Sequence, residues 1–374
     1  MWNINSNYII EGIAKNKEMD MYHLVVATTY ACNLRCRHCY LPNHSNNRIP
    51  LDITKCLIRD WADIVVNDRG RYEGVFHLKG GEPLLDQDFP QIVNEVAGIG
   101  VLRLMVTTNG TVTSPRILEA LENACEVMEG NHVIINVSLD GTDEETHSYI
   151  RGEGNFSKSI KFLGWLGENK IPTHINYVVT NTNIKNLRDI VDIAIEHDVR
   201  QINFLPFVAK GSGETFYEGA ITPLEIYHAI NEIYLNGSDN IKRLLTGTIP
   251  YIRHMEVTNQ KRNCECVAGY KGFYYVTPDL GVFPCPNLMD KRYSLGNLTK
   301  DSIRNIHARK ISELYRRVKK HETGPDYSCK GASIYYKEEN NETMYDSQLA
   351  INEYFNQHPI RGEQKMSFCF SRNI

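Results

Sequence analysis

From Leu24 to Leu205 the chain switches repeatedly between two hydrophobic patterns. Short continuous apolar runs have the length of buried strands. Each is followed by a stretch whose apolar residues recur at the spacing of one helix face. Residues 24–27 read as the first strand, and Ile53, Leu57, Trp61, Ile64 and Val65 mark the helix after it. Further strands are predicted at 75–78, 102–106, 133–139, 175–179 and 202–205. Helices are predicted at 89–96, 117–125, 160–166 and 187–195. Strands alternating with helices imply a parallel sheet with right-handed crossovers. Six such units predict an α/β fold, a partial (β/α)6 TIM-like barrel open on one side, rather than a closed eight-unit barrel.

Lys210-Gly211-Ser212-Gly213 punctuates the chain after the sixth strand. Thr222-Pro223-Leu224-Glu225 then has a capping-box pattern with proline at the first helical position, predicting a helix through Tyr234. Near Cys264 the alternation changes character. Residues 273–276 and 282–283 flank Pro278-Asp279-Leu280-Gly281, a hairpin signal. A helix is predicted over 301–320, and beyond Glu338 the chain turns polar, as a loop or partly ordered tail would. The expected organisation is an N-terminal extension (1–21), the barrel core (22–210), linking helices (211–260) and a C-terminal domain with tail (261–374).

Composition narrows the function. The 374 residues suggest about two domains. Lys plus Arg is 41 and Asp plus Glu is 45, so the net charge of −4 lacks the basic footprint of a nucleic-acid binder. No run of 18 apolar residues exists, so no helical membrane span is expected. Residues 1–21 lack the apolar core of a secretory signal, and a cytoplasmic location is expected. In that compartment ten cysteines point to metal or redox chemistry rather than disulfides.

Three of them, Cys32, Cys36 and Cys39, sit just after the first predicted strand. Loops after strands form the face of such barrels where chemistry sits. Three closely spaced thiolates can wrap a cluster of soft metal ions, and a four-iron cluster usually takes four. A local set of three leaves one iron open to a substrate or cofactor. A structural zinc site, or a cluster with a distant fourth ligand, also fits the triplet alone. The next loops tip the balance. Gly80-Gly81-Glu82-Pro83 closes the second strand, with glycines that allow close backbone approach and a carboxylate that suits an ammonium group. Thr107-Thr108-Asn109-Gly110 and Ser138-Leu139-Asp140-Gly141 close the third and fourth strands and belong on the same rim.

With these motifs in place, residues 22–206 resemble the radical S-adenosylmethionine enzymes. The resemblance implies that Cys32, Cys36 and Cys39 hold a 4Fe–4S cluster whose open iron chelates S-adenosylmethionine. His38 takes the position of the aromatic residue near the adenine. Gly80, Gly81 and Glu82 match the segment that holds the methionyl amine. Ser138 and Asp140 would face the ribose and carboxylate, and Arg151 would pair with the carboxylate through its planar guanidinium. The implied reaction is reductive cleavage to methionine and a 5′-deoxyadenosyl radical, which removes a substrate hydrogen atom. A flavodoxin- or ferredoxin-type reductant is the implied electron donor.

The second cysteine group resembles the auxiliary-cluster extension called SPASM, or its shorter form, twitch. Cys264-Glu265-Cys266 precedes the hairpin, Pro284-Cys285 follows it, Gly296-Asn297 leads into a helix, and Cys329 comes later. A full SPASM extension needs more thiolates than the five present from Cys264 onward, and Ser333 stands where a cysteine is often found. The resemblance therefore implies one auxiliary Fe–S cluster, of the 4Fe–4S type. Its ligands would be Cys266, Cys285 and Cys329, with Cys264 or Cys369 as the fourth. The one left over is either a catalytic thiol that donates a hydrogen atom or an inert cysteine, and a zinc site in this region is also chemically possible. Cys56 and Cys125 fall in predicted helices, and Cys125 lies on the apolar stripe.

Enzymes with this extension mostly modify ribosomally made peptides by crosslinking, thioether formation, epimerisation or oxidation, so a precursor peptide is the expected substrate. The alternative is a small-molecule dehydrogenase or epimerase acting on a sugar or aminoglycoside. A non-catalytic Fe–S or zinc protein is the remaining class.

Overall fold

The computed structural model describes residues 22–41, 44–130, 132–221, 223–245 and 272–309. Each of the six expected strands is present: β1 (His23–Thr29), β2 (Val75–Gly80), β3 (Arg103–Thr108), β4 (Val133–Ser138), β5 (Thr173–Val179) and β6 (Gln201–Pro206). They alternate with α1 (Leu51–Asp68), α2 (Phe89–Ile99), α3 (Pro115–Val127), α4 (Glu144–Arg151), α5 (Phe156–Glu168) and α6 (Leu187–Glu196). Then come α7 (Pro223–Asn236), α8 (Asp239–Leu244), β7 (Phe273–Val276), β8 (Gly281–Phe283), β9 (Gly296–Asn297) and α9 (Ile303–Ala308). No helix among the described residues is long and apolar enough to cross a membrane.

Neighbouring strands from β1 to β6 pair in parallel, giving the partial (β/α)6 barrel. Strand alternation separates its two faces. Leu24, Val26, Phe76, Leu78, Leu104 and Val106 join one apolar cluster with Leu57, Trp61, Val93 and Leu121 of the helices. The opposite face of the sheet is polar. His77 bonds His23 at 3.1 Å and Thr107 at 2.8 Å, and the Asn203 amide donates to Asn176 at 2.8 Å.

Two features differ from the sequence expectation. The crossover from β4 to β5 holds two helices, because Glu144-Glu145-Thr146-His147-Ser148-Tyr149-Ile150-Arg151 forms α4. Its mostly polar face gave no apolar period. Its start is fixed by Asp143, whose side chain accepts from the Thr146 N–H at 2.7 Å. The hairpin, moreover, continues the barrel's own sheet. The strand order is β6-β5-β4-β3-β2-β1-β7-β8-β9, with β7 parallel to β1 and β8 and β9 antiparallel. A small cluster of Val25, Ala27, Phe273, Tyr275, Cys285, Leu288 and Tyr293 fills the junction. Of the predicted 301–320 helix, Ile303–Ala308 is described and the part beyond residue 309 is not.

Candidate active site

The cysteine loop leaves β1 and is pinned on three sides. The Glu82 N–H donates to the Ala31 carbonyl at 2.8 Å, and the Arg37 N–H to Ile150 at 2.8 Å. The Asn109 amide donates to Asn33 at 3.0 Å. Within the loop a turn closes from the Cys39 N–H to the Cys36 carbonyl at 3.1 Å, and the Leu34 N–H points at Cys32 Sγ at 3.4 Å. Burial pushes all three thiols up, Cys36 to about 12. Negative charge on neighbouring thiols raises Cys32 and Cys36 further, so the sulfurs sit within electrostatic reach of one another. Arg151 opposes the rise at each of the three, and its Nη1 lies 3.9 Å from Cys36 Sγ.

These residues fit a cluster with three protein ligands. The donors are soft sulfurs on one short loop, and a guanidinium stands ready to balance thiolate charge.

The glycines of Gly80-Gly81-Glu82 serve the chain's own close approach. Gly80 has φ +136°, and a Cβ there would stand 2.4 Å from the Thr29 carbonyl oxygen. At Gly81 it would stand 2.2 Å from that of Ala31. The strand end is thereby zipped to the cysteine loop. Glu82 is buried and its carboxylate is already occupied. It accepts from the Thr108 hydroxyl at 2.6 Å, the Asn109 N–H at 2.8 Å and the Leu84 N–H at 3.1 Å. Burial nevertheless pushes its pKa up to about 7. The side chain thus organises the rim, and the segment's backbone is what faces the cysteine loop.

Asp140 is the electrostatic hub. Its carboxylate accepts from His38 Nε2 at 2.6 Å, from the Val178 N–H at 2.7 Å and from Arg151 Nε. Burial alone would raise its pKa, but Arg151 and His38 outweigh it and hold the carboxyl well below the usual range. The Asn183 amide donates to the Asp140 carbonyl at 3.0 Å. His38, Asp140 and Arg151 therefore form one hydrogen-bonded unit beside Cys36. Ser138 is buried nearby at the end of β4, and among the described residues its hydroxyl has no partner.

Comparison with known proteins agrees with this geometry. The model of the radical SAM superfamily matches residues 26–194. The chain carries a radical SAM domain and is a radical SAM enzyme. An AdoMet-dependent heme synthase of Methanosarcina barkeri is 26% identical over 310 residues, covering 78% of this chain and 82% of that protein. The subtilosin biosynthesis protein AlbA of Bacillus subtilis is 25% identical over 304 residues, covering 80% of this chain and 62% of AlbA. Among solved structures, Streptococcus suis SuiB bound to its precursor peptide SuiA superposes with a TM-score of 0.59 at 16% identity, over 85% of this chain and 71% of that one. SuiB bound to S-adenosylmethionine gives 0.62 at 14% identity, over 86% and 78%. The family implies a 4Fe–4S cluster and S-adenosylmethionine as cofactors.

Of the second cysteine group, Cys285 alone lies among the described residues. It is buried and caps the short turn Pro286–Leu288. Cys264, Cys266, Cys329 and Cys369 lie outside them. Cys56 is exposed and Cys125 half-buried.

Several rim residues of this radical SAM enzyme escaped sequence reasoning. Thr108 and Asn109 lie in a loop already placed on the rim, yet their hold on Glu82 had no signal. Lys79 precedes the glycines, on the same face as His77. Its ammonium lies over the Tyr40 ring at 5.3 Å, and burial pulls its pKa down to about 8. Tyr40 in turn bonds Tyr275 of β7 at 3.2 Å. Only strand alternation hinted that Lys79 faces inward.

Proposed function

We propose that this radical SAM enzyme modifies a ribosomally synthesised peptide and uses one auxiliary Fe–S cluster in doing so. The observation that carries the reading is the reach of the likeness to AlbA. It extends over 304 residues, well past the radical SAM domain. SuiB, whose fold this chain shares, binds a precursor peptide. A small-molecule substrate is the second reading, favoured by the 26% identity to a heme synthase of which the chain covers 82%.

In this proposal Cys32, Cys36 and Cys39 ligate the first cluster. The backbone of Gly80 to Glu82, with His38, Ser138 and Arg151, holds S-adenosylmethionine. When bound, the reduced cluster and S-adenosylmethionine supply a carbon radical that takes a hydrogen atom from a C–H bond. The chain's own work is positional. Asp140 anchors Arg151 through Nε, and Nη1 reaches toward Cys36, which leaves the remaining guanidinium donors for a carboxylate. The same carboxylate fixes the His38 ring. Cys266, Cys285 and Cys329, with Cys264 or Cys369, form the auxiliary site. A flavodoxin- or ferredoxin-type protein supplies the electron, in the cytoplasm.

Anaerobic reconstitution followed by dithionite and S-adenosylmethionine tests the chemistry. The expected product is 5′-deoxyadenosine, lost when Cys32, Cys36 and Cys39 are replaced by Ala. Co-expression with each short peptide encoded beside the gene tests the substrate, with a mass change expected in one of them. If 5′-deoxyadenosine forms but no such peptide changes mass, the small-molecule reading replaces the peptide one.

A further inference from the structure

Lys79 has no task in the site described so far. Strand alternation sends Phe76 and Leu78 of β2 into the apolar cluster with the helices, so His77 and Lys79 stand on the opposite, inner face of the sheet. Lys79 takes the last inward position of β2 before Gly80. The corresponding positions on neighbouring strands, Ala27, Thr107, Ser138, Val178 and Leu205, are uncharged. Deeper on the same face, His77 bonds His23 at 3.1 Å and Thr107 at 2.8 Å, and the Asn136 amide donates to Thr107 at 3.4 Å. Burial, with His23 and Lys79 nearby, keeps His77 neutral. This face therefore surrounds the Lys79 charge with neutral groups.

The ammonium is nevertheless held in place. It lies over the Tyr40 ring at 5.3 Å, and that ring is fixed by the hydroxyl bond from Tyr40 to Tyr275 at 3.2 Å. A cation over an aromatic face is stabilised without using its N–H donors. Among the described residues those donors meet no carboxylate and no carbonyl. The negative charge that Lys79 feels is that of Cys39, where Arg151 acts as well, as it does at Cys32 and Cys36. A half-buried ammonium with unused donors is costly until an anion reaches it, and an apolar side chain would line this wall more cheaply. One cation matches the single charge of a carboxylate. A phosphate dianion calls for a second cation, which the neighbouring inward positions do not supply.

We propose that Lys79 is a specificity-determining residue that binds a carboxylate of the substrate at the inner mouth of the rim. The proposal rests on the reading of this rim as the radical site. It holds for both substrates considered above, as an Asp, Glu or C-terminal carboxylate of a peptide or as the carboxylate of a small acid. The Lys79 N–H groups donate to the carboxylate oxygens while Tyr40 steadies the ammonium. Because Lys79 directly precedes Gly80, the anchored group belongs beside the segment assigned to S-adenosylmethionine.

Lysine acetylation by sulfo-N-hydroxysuccinimidyl acetate tests this in the anaerobically reconstituted enzyme with S-adenosylmethionine, read by peptide mass spectrometry. The probes are an N-acetylated, C-amidated Gly-Glu-Gly peptide and succinate. Each is compared with its amide counterpart, the Gln peptide and succinamide. Acetylation of Lys79 should be roughly tenfold slower at a carboxylate concentration about ten times its dissociation constant. The exposed Lys158 and Lys161 should react at unchanged rates. Protection by the Glu peptide alone assigns the site to a peptide carboxylate, protection by succinate alone to a small acid, and protection by both supports the shared chemistry. If neither carboxylate protects Lys79 beyond its amide counterpart, the proposal is overturned. An EPR-monitored redox titration then identifies the replacement. A first-cluster potential shifted negative in Lys79→Met and restored in Lys79→Arg assigns the ammonium to the cluster instead. A wild-type enzyme that forms no 5′-deoxyadenosine overturns the radical-site reading, while the acetylation result still decides the anion site.

Discussion

Two buried carboxylates of the rim titrate in opposite directions because their partners differ. Asp140 faces a guanidinium and an imidazole, and its folded pKa is depressed. Its contribution to stability is present above its unfolded pKa of about 4 and is lost as pH falls below that value. Glu82 accepts from neutral N–H and O–H donors and feels Arg151 only weakly, so burial wins and raises it to about 7. Its contribution is complete below its unfolded pKa of about 4.3 and is lost as pH rises through about 7. In urea unfolding of the cluster-free chain, Glu82→Gln should flatten the stability slope between about pH 4.5 and 7. Asp140→Asn should cost about 3 kcal/mol or more at neutral pH, since it leaves a buried guanidinium without its counter-charge. The same variant should weaken 5′-deoxyadenosine formation in the reconstituted enzyme, because Arg151 and His38 both lose their anchor. A variant with wild-type stability and activity would show that Asp140 is dispensable to the unit.

At the scale of elements, α9 illustrates how unequal contacts divide the work of docking. Arg304 bonds Asp60 at 2.6 Å and also Asp63 on α1, but this pair is largely exposed. His307 is buried, bonding Asp68 at 3.0 Å and the Tyr274 hydroxyl at 3.0 Å, with its ring edge-on to Trp61. Arg304→Ala should cost less than about 1 kcal/mol. His307→Ala should cost about 2–3 kcal/mol, because it opens a cavity and strips partners from buried polar groups. Thermal unfolding of the two variants distinguishes them, and equal losses would contradict this ranking. The elements themselves were legible to different degrees. Strands such as β1 and β3 announce themselves because their short apolar runs, Leu24 to Ala27 and Leu104 to Val106, are buried between helices and neighbouring strands. The helix α4 does not, because a short polar helix held by its Asp143 cap leaves no apolar stripe. That the cysteine loop and the loops after β2, β3 and β4 share one rim was legible from their places after the strands, whereas the roles of single residues came only with the family resemblance. The His38–Asp140–Arg151 unit was readable only as separate residues, since His38 pairs with Asp140 across 102 positions and the Arg151 contact depends on how α4 folds back on the β4 end.

For the molecule as a whole, the decisive fact is that β1 is an interior strand. Each of its seven residues is buried, and its backbone pairs with β2 on one side and β7 on the other. A sequence pattern shows that a strand is buried on both faces but not which later strand covers its edge, so the hairpin read as part of a separate unit. Without β7, residues His23 to Val26 would present an apolar, unpaired edge of the kind that recruits other chains. The sheet should therefore open as one cooperative unit. Hydrogen exchange read by mass spectrometry at increasing denaturant should give peptides covering 23–26 and 273–276 the same opening free energy. A hairpin folding as an independent module would exchange at distinctly lower free energy than β1. The consequence reaches the site. The turn bearing Cys285 follows directly from β8, and Tyr275 of β7 bonds Tyr40 at the end of the cysteine loop. If β1 and β7 open together, the cysteine loop and the Cys285 turn inherit their spacing from a single rigid sheet.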